Sequence, residues 1–172
     1  EPFRVDFGKI EKLRTVFKKE GTITAGNAST INDGAASCVI MSSERANELG
    51  LKPIAEILGH CSFSHEPEWF TTAPVSSTNK LLDRLNMEVT DVDLFEINEA
   101  FAVVALAAIK NLGLDKEKVN IFGGAVSMGH PIGASGSRIL CTLLNALNKR
   151  KKDIGLASIC IGGGEASSIL IK

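Results

Sequence analysis

Three short stretches of this chain carry side chains able to move protons or to steady a developing charge, and glycines crowd two of them. The first is Asn98-Glu99-Ala100-Phe101-Ala102. The second is Gly123-Gly124-Ala125, followed by Gly129-His130-Pro131-Ile132-Gly133-Ala134-Ser135-Gly136. The third is Cys160-Ile161-Gly162-Gly163-Gly164. An imidazole can take a proton from a thiol, a thiol can pass one to carbon or sulfur, and an amide or backbone N–H can donate to an oxyanion. Each residue also has an ordinary reading. Asn98 could cap a helix, His130 could hold a loop through one hydrogen bond, and Cys160 could be a small buried core residue. The glycine-rich stretch lacks the Lys-Ser/Thr of a phosphate-binding loop and the spacing of a dinucleotide fingerprint. Cys61, next to His60 and near His65, admits a nucleophile or a metal reading but lies in a strand-like run; Cys38 and Cys141 sit in apolar patterns and read as core.

What must position these groups is a set of alternating strands and helices. Residues 92–97 (VDLFEI) predict a strand, 98–112 a strongly apolar helix, and 119–122 the next strand, running into the glycine-rich stretch. A helix over 139–148 with a basic end follows. Strands at 154–161 and 167–171 close the chain across three glycines. Each motif therefore falls at the C-terminal end of a predicted strand, where α/β folds place their ligands. Upstream, 54–63 reads as a strand, 64–74 as an irregular loop, and Ser76 or Ser77 as the cap of a helix through Leu85. Residues 1–24 are charged and amphipathic, with Leu13, Val16 and Phe17 able to share a face. Residues 25–34 (AGNASTINDG) form a turn-rich loop, 36–41 (ASCVIM) are β-prone, and Ser43 caps a short helix ending at Gly50. This order predicts a layered α/β domain with a mixed or parallel sheet covered by helices on both faces.

Composition narrows the classes. With 44% hydrophobic residues the 172-residue chain can bury a core, and a net charge of −1 offers no field for nucleic acid or an anionic membrane. The longest apolar run, 100–109, is about half of a membrane-spanning helix. Four dispersed cysteines read as reduced thiols, which suits the cytoplasm or another reducing compartment. No Met opens the chain, so a truncated start is expected and an organelle is not excluded.

Taken together and in order, NEAFA, GGAVSMGHPIGASGSR and CIGGG resemble the three C-terminal signatures of the thiolases, and GTITAGNASTINDGAA is similar to that family's CoA-facing loop and following strand. The resemblance runs from about Phe7 to the C-terminus. It implies an α-β-α-β-α layered fold, of which this chain holds the C-terminal repeat with a mixed five-stranded sheet. Residues 1–31 would end a loop domain, 32–52 would belong to the N-terminal repeat, and 53–172 would form the C-terminal domain. It implies roles by position: His130 activates the nucleophilic cysteine and contributes to an oxyanion hole, Cys160 exchanges a proton with the substrate, and Asn98 holds an oxyanion-hole water. The Gly162 N–H serves the second hole. Ser29, with Ala25 and Ile31, lies along the pantetheine arm, and Ala100, Phe101 and Phe70 line the acyl pocket. The nucleophile belongs to an N-terminal repeat lacking here, so the chain alone is expected to be inactive.

The activity so implied is acyl transfer between acyl-CoA thioesters, foremost acetyl-CoA C-acetyltransferase. A broad-range 3-ketoacyl-CoA thiolase is one alternative, and a non-catalytic fragment or scaffold is another. CoA thioesters would be substrates with no tightly bound cofactor and no metal. The partners would be CoA, the missing N-terminal half and further copies in a homodimer or homotetramer, with neither nucleic acid nor membrane.

Overall fold

The computed structural model describes residue 3 and residues 5–172. After a short helix α1 (Phe7–Ile10), the chain runs through loops to helix α2 (Ser43–Glu48), and then builds a mixed four-stranded sheet. Its strands are β1 (Ile57–Ser64), β2 (Leu94–Ile97), β3 (Gly155–Ile161) and β4 (Glu165–Ile171), in the order β1-β4-β3-β2. β2 and β3 are parallel; the other two pairings are antiparallel.

Side chains of β3 alternate between two cores, as the strand's two-residue period requires. Leu156 joins Leu170 beneath helices α3 (Ala73–Leu85) and α4 (Ala102–Leu112), with Leu81, Leu82, Val104 and Ala108. Ala157 faces the opposite side, where, after the short helix α5 (Ala125–Met128), Ile139, Leu143 and Leu147 of α6 (Ser135–Arg150) meet Leu94 and Ile171. Helices on both faces explain why all four residues of β2 are buried.

The layered α/β reading holds, but several expected boundaries move. Residues 119–122 do not form a four-residue strand. Only a parallel bridge between Phe95 and Val119 marks that fifth place in the sheet. The reason is Asn120, whose side-chain amide takes over the ladder: Ile97 N–H donates to its Oδ1 (2.8 Å), and its Nδ2 donates to Ile97 O (2.9 Å). Its backbone sits in the left-handed region (φ 48°), which ends the extended run. Ser42, not Ser43, caps α2 by accepting from Arg45 N (3.2 Å). Helix α3 starts before the expected serine caps, on Ala73-Pro74, because proline suits a first turn. Ser77 is instead buried within it, its hydroxyl spent on Pro74 O (3.2 Å) and Ser168 Oγ (2.6 Å). Residues 67–72 of the expected loop form a short 3-10 turn. Residues 36–41 form no strand, and Val39 and Ile40 are exposed. Leu13, Val16 and Phe17 share no helix and are also exposed.

Candidate active site

The NEAFA turn begins where β2 stops. Ile97 pairs with Ser158 of β3, and Asn98 N–H continues the ladder to Ser158 O (2.9 Å). Helix α4 starts only at Ala102, with Phe101 as its N-cap, so Asn98 is not a helix cap. Its amide is buried at 1% exposure and spent on function-like contacts: Nδ2 lies 3.3 Å from His130 Nε2, and Oδ1 accepts from Arg138 Nη2 at 3.4 Å. Glu99 fastens the turn. Its carboxylate accepts from Asn120 Nδ2 (2.9 Å) and Val126 N–H (3.1 Å). It lies against Gly124 where any side chain would collide with it, so glycine is required there for close approach.

His130 follows Gly129, whose φ of 96° and contact with the Asn32 side chain both call for glycine. The His130 backbone N–H donates to Thr30 O (2.8 Å), tying the GHP loop to residues 30–32. On its ring, Nδ1 is 2.6 Å from Ser135 Oγ, and that hydroxyl donates to Pro131 O (3.0 Å). Ser135 Oγ must then accept, so Nδ1 carries the proton and Nε2 presents a lone pair toward Asn98. Burial, reinforced by the Arg138 charge, holds the imidazole below its ordinary pKa. A neutral ring with an unprotonated Nε2 is what a general base requires.

Cys160 is the penultimate residue of β3, opposite Ala166, and is 7% exposed. Burial pushes its thiol up to about 11, so near neutral pH it is a proton donor before it is a base. The turn at residues 162–164 leaves Gly162 exposed, with open space where a side chain would be. Cys160 and Gly162 lie beyond the last β2–β3 pair, Ile97 with Ser158, on the side toward which Asn98 continues, and among the described residues Cys160 makes no side-chain hydrogen bond to Asn98 or His130.

The expected CoA-facing loop is clamped onto this edge. Ser29 donates to Ala100 O twice, from N–H (3.1 Å) and from Oγ (2.9 Å), and Ala102 N–H donates to Asn27 O (2.8 Å). Ala25 and Ile31 are exposed. Phe70 meets Phe101 edge-on at 6.3 Å, and Phe17 meets Phe101's ring at 5.9 Å, making an aromatic wall that sequence reading had assigned only in part. Cys61 is a core residue, its thiol on Ser62 O (3.5 Å), while His65 Nε2 is 2.7 Å from Trp69 O. Sequence reading missed Glu99, Asn120, Ser135 and Arg138 as parts of the site. Glu99 and the latter two lie inside the quoted motifs, so their place was visible; their partners were not.

Residues 51–172 match the family model of the thiolase C-terminal domain, and residues 2–44 match that of the thiolase N-terminal domain. This chain belongs to the thiolase family. An acetyl-CoA acetyltransferase of Schizosaccharomyces pombe is 52% identical over all 172 residues, which span 44% of that relative. A thiolase from Ascaris suum, solved in complex with coenzyme A, superposes with a TM-score of 0.95 at 50% identity, over 100% of this chain and 45% of that one. Human mitochondrial 3-ketoacyl-CoA thiolase superposes at 0.91 with 36% identity, over 98% of this chain and 43% of that one. This thiolase chain thus spans less than half the length of the relatives it matches. None of its described helices is long and apolar enough to cross a membrane.

Proposed function

We propose that this chain is the C-terminal half of an acetyl-CoA C-acetyltransferase, which joins two acetyl-CoA molecules into acetoacetyl-CoA and CoA and also runs in reverse. The observation that carries the reading is the neutral His130 ring, with its Nε2 lone pair held toward the Asn98 amide. The acetyltransferase names of relatives near 50% identity and the CoA bound in the Ascaris thiolase support the substrate class.

In this reading a complementary segment, outside this sequence, supplies the nucleophilic cysteine. His130 Nε2 takes that thiol's proton, and the thiolate attacks the acetyl thioester. The Cys160 thiol gives its proton to the departing CoA sulfur, and the thiolate left behind then removes a methyl proton from the second acetyl-CoA. The enolate oxygen is met by donors from His130, now protonated, and a water on Asn98. The Gly162 N–H serves the acyl oxygen. One such donor is worth about 3 kcal/mol of barrier. Each step moves a proton or an acyl group, so no tightly held cofactor is needed. Ala25, Ser29 and Ile31 lie along the pantetheine arm, while Ala100, Phe101 and Phe70 close the acyl end. The wall of Phe17, Phe101 and Phe70 favours the four-carbon product over longer 3-ketoacyl chains.

In this assignment residues 1–31 end a loop domain, 32–52 return to the N-terminal repeat, 53–172 form the C-terminal domain, and the whole enzyme is a homodimer or homotetramer of a reducing compartment such as the cytoplasm. Acetoacetyl-CoA cleavage tests the reading. This chain alone should give no turnover, and adding an N-terminal half that carries the cysteine should restore it. In the restored enzyme Cys160→Ala should stop condensation yet leave some acylation, while His130→Ala should impair both half-reactions by about 10²–10⁴-fold. Restored assembly without turnover, or turnover by the lone chain that is lost on Cys61→Ala, would reject it.

A further inference from the structure

Arg138 has a place in this chain that the reaction as described does not use. It lies on α6, three residues after Ser135, so one helical face addresses both ends of the His130–Asn98 pair. Its guanidinium donates only. At 3.4 Å it faces one end of the Asn98 amide, whose other end is 3.3 Å from His130 Nε2. Both distances are long for hydrogen bonds, so orientation rests on what would happen if the amide turned over. Its NH2 group would then point at a cation, and its oxygen at the histidine lone pair. Asn98 is buried, so bulk solvent does not relieve that mismatch.

We infer that Arg138 is a positioning residue: it fixes the Asn98 amide with Oδ1 toward the guanidinium and Nδ2 toward His130, and thereby holds His130 in the tautomer with its proton on Nδ1. Ser135 asks for the same tautomer, but weakly, because a hydroxyl can rotate and donate to Nδ1 instead. Arg138 has no such second option. Behind it, Glu96 of β2 is 2% exposed, with its Oε2 4.0 Å from Arg138 Nη1. The second oxygen of Glu96 and Arg138 Nη1 are both buried without a hydrogen-bond partner among the described residues. Burial raises the Glu96 carboxyl to about 8 against the lowering pull of Arg138, with Glu99 adding to the rise. Near neutral pH Glu96 is therefore mostly uncharged and does not draw the guanidinium off Asn98.

The inference rests on the proposed function only in giving His130 a proton to receive; the tautomer itself is read without turnover. Imidazole nitrogens of His130 can be observed by long-range proton–nitrogen correlation on the full chain labelled with 15N-histidine, above the His130 pKa. The native chain should show one tautomer, protonated at Nδ1. Arg138→Met should give a mixture, with the Nε2-protonated form rising to a comparable share, and Arg138→Lys should restore much of the single form. Ser135→Ala should keep Nε2 unprotonated. If Arg138→Met fails to fold, Asn98→Asp supplies the converse: two acceptor oxygens against Arg138 and Nε2 should drive the proton onto Nε2. An unchanged tautomer in Arg138→Met, or in Asn98→Asp, would overturn the inference. Tautomers that respond as expected in a complemented enzyme without turnover would instead reject the thiolase activity and leave this inference standing.

Discussion

Two short apolar stretches of similar composition meet opposite fates. Leu94-Phe95-Glu96-Ile97 is buried at every position, although one of its four residues is a carboxylic acid. Residues 36–41, with Val39 and Ile40 near their centre, carry no charge and include two strand formers, yet among the described residues they pair with no strand, and Val39 is 88% exposed. β-propensity describes a fit to a pleated, half-covered surface, and that surface must be supplied by neighbours. β2 has β3 beside it and helices on both faces. Among the described residues, 36–41 have no strand beside them and meet helix α6 through the Cys38 and Cys141 thiols, 3.7 Å apart. α4 repeats the lesson, burying Val104, Ala105 and Ala108 while Val103 and Leu106 face outward, Leu106 at 61% exposure. Both surfaces stand exposed in a chain that spans 44% of the length of one full relative.

Leu170 on β4 is fully buried between β3 and α3, so Leu170→Ala should cost about 2–5 kcal/mol of folding stability by urea titration. A cost below about 1 kcal/mol would mean that the sheet core is no better organised than residues 36–41.

β2 can also be tested through its acid. The folded pKa of Glu96 is raised from 4.5 to about 8, so between those values the native state holds a proton that the unfolded chain has released. Stability should therefore fall as pH rises from about 5 to 8, by on the order of a few kcal/mol, and level off above that. His130, with its lowered pKa, adds a slope of opposite sign below 6.5. The informative quantity is the difference between the native chain and Glu96→Gln, which should lose the falling limb and keep the histidine one. Parallel pH curves for the two would show that Glu96 is ionised in the folded state and that β2 tolerates a buried charge.

Much of the site was legible because the chemistry sits in contiguous motifs. Asn98 follows β2 directly and Cys160 lies in the last rungs of the β3 ladder, and the parallel register of Ile97 with Ser158 brings the ends of those two strands together; the strand expected before His130 is reduced to a single bridge at Val119. The α/β order and both helix-covered faces were also legible, since α3 and α6 carry clear amphipathic periods. What stayed hidden was whatever depends on a partner far along the chain. Asn120 replaces a strand with its own side chain, Glu99 closes on Gly124, and Arg138 reaches Asn98 across 40 positions. Local propensity also misplaced the start of α4, because the NEAFA turn spends its backbone on Ser158, Asn27 and Ser29 before any helix begins.

The smallest expected effect concerns residues 36–41 themselves. Val39 and Ile40 project into water, so replacing both with serine removes no packing and adds no unsatisfied polar group. Folding stability at high dilution should change by no more than about 0.5 kcal/mol. Association should change more. Val39, Ile40 and Met41, together with Val103 and Leu106 of α4, are exposed large hydrophobic residues, and a contiguous patch beyond a few hundred Å² is a partner surface or an aggregation liability. The unaltered chain should self-associate at micromolar concentration in sedimentation runs, and Val39→Ser with Ile40→Ser should weaken that association without shifting the urea midpoint. A double variant that unfolds at lower urea would show that these residues already contribute to the folded core of this chain. The contrast with β2 would then be one of degree, and the complementary half would have less to cover than the exposed side chains suggest.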